Sequence, residues 1–559
     1  MLLFIGIPRF VGLSVSISFL ATLSLLISGC GFQSLDADCI VHNGSILTLD
    51  SENSMAQALA IKDGRIVEIG ANRQILNKYR APVQIDLRGG VVTPGLMDAH
   101  AHLIGYADGL LEADLVGTDS WGEVLEKVVS HAKEHPSAWI RGRGWDQNDW
   151  LKAEWPNRRT LDSLFPNVPV VLERIDGHAI MVNGEGLRRV GLTCDMQQDG
   201  GVILCDDNNE PTGVLIDEMA NRVLRFMPEY DSLYRVQAFL EAQTTMLEHG
   251  LTQITDAGLS AKEIERLLAF EKQGLLKLRI NAMVSGNDDD IGWLLENGPI
   301  ATDRLTVQSV KFYMDGALGS RGAMLIDPYS DLKGWRGVSM LDRDWFKNQL
   351  EQLHASGMQA ATHCIGDSAV RLVLNAYAEV LDGPNDRRWR IEHAQVVAKD
   401  DMNQFGTYHI IPSIQPTHAT SDMYWAGERL GRNRIRRAYA YQELLAQNGM
   451  VALGTDFPVE DIDPRKTMFA ATARRDAAGY PDEGFQMKNA LTPDQTLRGM
   501  TQWAALTQFQ EQDLGTIEVG KFADFTWMDR NWLKVSPKDL LSTRIMGTCI
   551  EGEWVYLNE

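Results

Sequence analysis

Basic residues are scarce in this sequence of 559 residues: 53 Lys and Arg stand against 75 Asp and Glu, a formal net charge of −22. That balance argues against a nucleic-acid partner, because phosphate backbones are held by concentrated positive charge that nothing here supplies. It bears on solubility and on repulsion from anionic surfaces, not on fold. Cysteine is scarce as well, six in all, and no Cys-x-x-Cys pair or Cys/His cluster has structural-zinc spacing. Thiolate metal sites are disfavoured accordingly. No repeat of fixed period runs through the chain, which argues against a solenoid. With 44% hydrophobic and 23% charged residues, the composition is that of a globular protein. Its length suits one large domain of about 250 residues plus substantial additions.

One segment stands apart. Residues 11–29 carry no charge, follow Arg9 and end in Ser28-Gly29 directly before Cys30. This reads as a secretory signal over residues 1–29. Its ending, Leu26-Ile27-Ser28-Gly29-Cys30, resembles a bacterial lipobox, in which the cysteine is acylated and becomes the first mature residue; Ile27 is less usual there than Leu. The alternative is an uncleaved N-terminal transmembrane anchor, which the length allows. Either places the body outside the cytoplasm and tethered to a membrane, with the periplasm as the expected side. Five cysteines remain beyond Cys30, so at least one is unpaired; Cys194 and Cys205 flank a Gly-Gly turn and could pair in an oxidising compartment.

Residues 38–92 hold short alternating runs punctuated by Asn43-Gly44, Asp63-Gly64 and Arg88-Gly89-Gly90, which are hairpin signals. The C-terminus repeats the style, with Glu551-Gly552 between two strand-like runs. A small β-sandwich built from both chain ends, residues 30–92 and 505–559, is expected; two unrelated β-appendages are the alternative. Between them, apolar β-branched runs alternate with helical stretches, the pattern of parallel βα units. Eight candidate strands are legible: GVVTPGLMDAHAH, LTQITDAG, LKLRINAMV, VQSVKFYMD, MQAATHCIGD, WRIEHAQ, HIIPSIQP and MVALGTDFP. Eight close a (β/α)8 barrel of the TIM type, placed here at residues 93–504. About 150 residues separate His102 from Thr252 where a βα unit needs only about 30. An inserted subdomain, about residues 106–240, is therefore expected after the first barrel strand.

The chemistry-bearing residues recur at one position in these units. In Asp98-Ala99-His100-Ala101-His102 the two histidines alternate with alanines, so both point to one side of a strand and can reach one metal ion. Lys311, His363, His393 and Asp456 each stand at or near the carboxyl end of a later strand, where barrel enzymes place their catalytic groups. Flanked by apolar residues, such side chains are costly to bury unless paired or metal-bound. For a single histidine the ordinary reading is a hydrogen-bonded core residue, and for Asp456 it is a helix N-cap. For Lys311 the alternative is a salt bridge, for instance to Asp315.

TPGLMDAHAHL, RIDGHAIMVNG, VKFYMDGALGSRGA, THCIGDSA, RIEHAQ, GTDFPV and LGTIEVGKFADF, in that order, resemble the amidohydrolase superfamily. Within it the sequence is similar to amidohydrolase family 3, the YtcJ-like and N-substituted formamide deformylase-like branch. The resemblance spans nearly all of the chain beyond the signal. It implies two divalent ions, commonly zinc: His100 and His102 on one, His363 and His393 on the other, and a carboxylated Lys311 bridging both. It implies Asp456 as general acid/base toward a metal-activated water, and hydrolysis of a non-peptide C–N bond, amide, N-acyl or N-formyl, in a small organic substrate. Deamination, and lactone or phosphoester hydrolysis, are other reactions open to the same site; a non-catalytic binding lipoprotein is the alternative outside enzymes. His178 and His418 are candidate substrate contacts, each equally readable as a local hydrogen-bonder. Trp145 could line an apolar pocket or fill the subdomain core, and Arg321 could lie above the site or on the surface. Cys364 stands where related sequences often carry Ala. The sequence leaves the oligomeric state open, a homodimer included.

Overall fold

A computed structural model describes residues 34–196, 200–230 and 232–558. The expected signal at 1–29 and Cys30 lie outside the described residues. Among the described residues no helix is long and apolar enough to cross a membrane.

The centre is a barrel of eight parallel strands hydrogen-bonded in chain order: β1 (Leu96–Ala101), β2 (Leu251–Leu259), β3 (Arg279–Ser285), β4 (Leu305–Tyr313), β5 (Gln359–Cys364), β6 (Arg390–His393), β7 (Ile411–Ile414) and β8 (Ala452–Leu453). Every residue of β1, β5, β6, β7 and β8 is buried, which is why they read as unbroken apolar runs instead of alternating ones. The circle closes between the last and first strands. Asp456 N–H donates to the His100 carbonyl at 2.8 Å, and His102 N–H to the Phe457 carbonyl at 2.9 Å. The buried Asp98 carboxylate accepts from Thr455 N–H and Oγ1. Gly454 permits this closure, since a Cβ there would fall 2.5 Å from the His100 nitrogen.

Helices cover the outside. Their starts are set locally: Ser260 caps Ala261–Lys272, with Glu263 completing a capping box. Asp367–Leu381 turns Val370, Val373, Leu374 and Tyr377 inward on one face.

The expected first strand, GVVTPGLMDAHAH, is two strands. Val91–Pro94 belongs to a flanking sheet and pairs with Phe525–Met528, and only Leu96–Ala101 enters the barrel. The chain crosses at Gly95, where a Cβ would lie 2.2 Å from Thr252 Oγ1. That flanking sheet has six strands, from both chain ends; a four-stranded sheet from residues 39–86 faces the same apolar core of Val41, Ile46, Leu59, Val92, Phe525 and Trp527. Arg279 at the start of β3 ties this β-domain to the barrel through Asp524 and Glu551.

The insertion after β1 carries its own six-stranded mixed sheet, from Ala113–Asp114 to Pro211–Asp217. Cys194 and Cys205 are joined in a disulfide there. The sheet's last strand ends at Asp217, which lines the cavity above the barrel mouth.

Candidate active site

The carboxyl ends of the barrel strands and the insertion enclose a cavity of about 970 Å³. His102, Lys311, His363, His393 and Asp456 line it. His100 is fully buried beside them, its Nε2 3.3 Å from Lys311 Nζ and 3.4 Å from Asp456 Oδ1. His102 Nε2 is 3.1 Å from the same oxygen. The His363 and His393 rings meet edge to face with centroids 4.5 Å apart. Five expected ligands and the expected acid/base residue therefore converge, although up to 356 residues separate them in the chain.

Backbone geometry turns two of them inward. His393 sits at φ 70° and Asp456 at φ 66°, conformations that non-glycine residues avoid and that concentrate at functional sites.

Partners outside the expected set fix the rings. Glu392 accepts a hydrogen bond from Nδ1 of His100, and Gln415 Oε1 accepts one from Nδ1 of His393 at 2.9 Å. Both leave Nε2 as the end free to ligate, the arrangement metal-binding histidines use. Glu392 is in turn held by Arg390, 2.6 Å away in a fully buried pair. No motif in the sequence assigns Glu392 a role; the signal for it is a further ionisable group directly before His393 on a strand that is buried throughout.

Electrostatics follow from burial. Desolvation lowers the His102 imidazole to about 4 and the Lys311 amine to about 8. Burial alone would raise Asp456, but the imidazoles of His100, His102 and His393 hold it well below the usual carboxylate range. Lys311 has no carboxylate within salt-bridge distance among the described residues; its Nζ lies 4.4 Å over the Tyr313 ring. The Asp315 alternative does not hold, because that carboxylate accepts the backbone N–H groups of Met324, Ile365 and Gly366.

The donor set fits divalent cations. His100, His102 and Asp456 offer ligand atoms all within 4.8 Å of one another, as do His393, His418 and Asp456. His363 Nε2, His418 Nε2 and Asp456 Oδ1 are buried with no hydrogen-bond partner, and such atoms are costly unless something coordinates them. Imidazole and carboxylate donors suit zinc and neighbouring first-row metals.

The second-tier candidates divide. His418 stacks on His393, and its Nε2 is 3.6 Å from Asp456 Oδ2. His178 lines the cavity with its ring 5.1 Å from His363. Trp145 and Arg321 do not line it. Trp145 is fully buried in the subdomain core against Trp150 and Trp155, its indole N–H donated to the Leu172 carbonyl. A large ring on the inner face of a sheet gains more from core burial than from a polar cavity. Arg321 turns away to pair with Asp331. Cys364 is buried behind His363 as an unpaired thiol.

Known proteins resolve what this assembly of histidines and carboxylates belongs to. The model of the amidohydrolase family matches residues 84–556. The chain belongs to the amidohydrolase family. The protein YtcJ of Bacillus subtilis (strain 168), named as an amidohydrolase, is 31% identical over 92% of this chain and 99% of its own length. N-substituted formamide deformylase of Arthrobacter pascens is 25% identical over 93% and 98%. The crystal structure of an uncharacterized metal-dependent hydrolase from Pyrococcus horikoshii OT3 superposes with a TM-score of 0.73 at 26% identity, covering 89% of this chain and 99% of that one. The barrel mouth is thus the candidate metal centre of a metal-dependent hydrolase.

Proposed function

We propose that this amidohydrolase cleaves an amide-type C–N bond, N-formyl or N-acyl, in a small organic substrate. The observation that carries the reading is the convergence of His100, His102, Lys311, His363 and His393 on Asp456 at the floor of one cavity, with lone pairs left unsatisfied. The cavity has small-molecule dimensions. The likeness to N-substituted formamide deformylase favours an N-formyl amine among amide substrates.

His100 and His102 would hold one divalent ion and His363 and His393 a second, with zinc the ion these donors suit. Lys311, whose amine burial brings down to about 8, would help hold the ions if its neutral amine adds carbon dioxide and releases a proton to give a carbamate. Bound ions supply a water acidified from 15.7 toward about 7 and polarisation of the substrate carbonyl. Asp456, kept anionic by its imidazole neighbours, takes the proton from the attacking water and returns it to the leaving nitrogen as the C–N bond breaks. Glu392 and Gln415 keep the His100 and His393 rings from rotating out of line.

The apolar segment 11–29 and the Leu26–Cys30 motif support export and a lipid anchor at Cys30, with the body facing the periplasm. The Cys194–Cys205 disulfide fits an oxidising compartment.

The test is a substrate panel on the full-length protein, purified in mild detergent without chelators. Release of formate or carboxylate together with the free amine from N-formyl or N-acyl amines is expected. Ammonia released from an amino-substituted ring, or turnover confined to lactones or phosphoesters, would replace the reading.

A further inference from the structure

The inserted subdomain reaches the metal centre through two residues that are tied to each other. Asp217 ends the strand Pro211–Asp217 at φ 53° and ψ −121°, a region that glycine enters freely and aspartate does not. Its side chain is wholly buried. Oδ1 accepts from Nδ1 of His178 at 2.7 Å, and the backbone N–H of Asp217 donates to the His178 carbonyl at 2.8 Å. Oδ2 has no hydrogen-bond partner and lies against two glycines of the loop that follows β4. A Cβ at Gly316 would fall 2.6 Å from that oxygen and one at Gly322 2.7 Å. Two side-chain-free positions thus admit one strained carboxylate from another part of the chain.

A strained backbone held over a buried carboxylate persists only where the surroundings over-determine it, and the His178 ring gives it a use. An imidazole bound at Nδ1 can present only Nε2 to a ligand. Among the described residues that nitrogen has no protein partner, and the ring lines the cavity beside His363, their centroids 5.1 Å apart. We propose that Nε2 of His178 hydrogen-bonds the scissile amide of the substrate, and that Asp217 is the positioning residue that aims it. The inserted subdomain thereby supplies part of the reaction site and not only a wall. The inference rests on the hydrolase reading above.

The experiment compares metal-loaded full-length parent, His178→Ala, Asp217→Gly, the double variant and Asp217→Asn. Turnover of the best panel amide and the affinity for benzohydroxamate, by calorimetry, are the two readouts, with metal content and melting temperature taken on the same preparations. Glycine suits the backbone at 217, so Asp217→Gly removes the carboxylate without adding strain. His178→Ala and Asp217→Gly are each expected to lower kcat/KM about 10- to 100-fold and to weaken the hydroxamate, at parental metal content. The double variant should be no worse than His178→Ala, because a residue acting through another costs nothing once that other is gone. Asp217→Asn, which still accepts from Nδ1, should recover most of the loss. Additive losses in the double variant, parental kinetics in either single variant, or activity lost only in step with metal would overturn the proposal. A parent that neither turns over any amide nor binds the hydroxamate would overturn the hydrolase reading, and the pair's role with it.

Discussion

Glu392 accepts a hydrogen bond from Nδ1 of His100 at 2.5 Å, and both side chains are fully buried. Arg390 closes the other side of the carboxylate and also donates to the Ala99 carbonyl and to Ser413 Oγ. One chain of hydrogen bonds and ion pairs therefore joins the β1 metal-ligand candidate to β6 and β7. Burial would raise the Glu392 carboxyl, but Arg390 and then His100 hold it far below the ordinary range, so it is an anion in the folded protein. Glu392→Gln is expected to weaken metal binding about 10- to 100-fold, read by competition with a chelator. Glu392→Ala should also cost about 3–5 kcal/mol in urea unfolding, because Arg390 is left as an uncompensated buried charge. Parental metal affinity in both variants would show the contact to be incidental to the site.

Asp456→Asn keeps the shape of the side chain and removes its basicity. We expect kcat to fall about 10²- to 10⁴-fold, the range ascribed to a general acid/base, while the four histidines still retain metal. Undiminished turnover in this variant would assign proton transfer elsewhere.

Lys311→Ala addresses whether the amine joins the metals. Its Nζ lies 3.3 Å from His100 Nε2 and 4.4 Å over the Tyr313 ring, with no carboxylate within salt-bridge distance among the described residues to account for a buried ammonium. Loss of at least half the bound metal and of nearly all turnover is expected. Full metal content and activity would make the lysine structural.

Glu112, where the insertion leaves the barrel, sets a pH effect distant from the chemistry. Burial, and then the neighbouring Glu173, push its carboxyl up to about 7, while Tyr230 donates to it at 2.7 Å. Between its ordinary value near 4.5 and 7, the folded chain keeps a proton that the unfolded chain releases. This contribution is full below 4.5 and is lost as pH rises through 7. Glu112→Gln, which mimics the protonated form, should therefore gain stability relative to the parent between pH 5 and pH 8 in urea titrations. An unchanged difference across that interval would contradict the shift.

The barrel was legible because parallel strands buried on both faces leave unbroken apolar runs, and because ligand-type residues recur at their carboxyl ends. The join at Gly95 was not: VVTPG and LMDAHA are equally apolar, and what divides them is a contact with Thr252, about 150 residues away. His100, His102, His363 and His393 announce themselves by type. Glu392 and Asp217 do not, since each acquires meaning only from a partner placed by the fold, His100 across the barrel and His178 across the subdomain sheet. For Trp145 the sequence leaves pocket wall and subdomain core both open, and the structure places it in the core. A register shift after Arg143, with Gly144 at φ 113°, brings Trp145 to the core face that Ile140 occupies.

The most direct measurement is elemental analysis of the full-length protein purified without chelators, paired to its protein concentration. The account predicts close to two zinc-like divalent ions per chain, bound at the mouth formed by His100, His102, Lys311, His363 and His393. A chain that carries no bound transition metal under those conditions would contradict it.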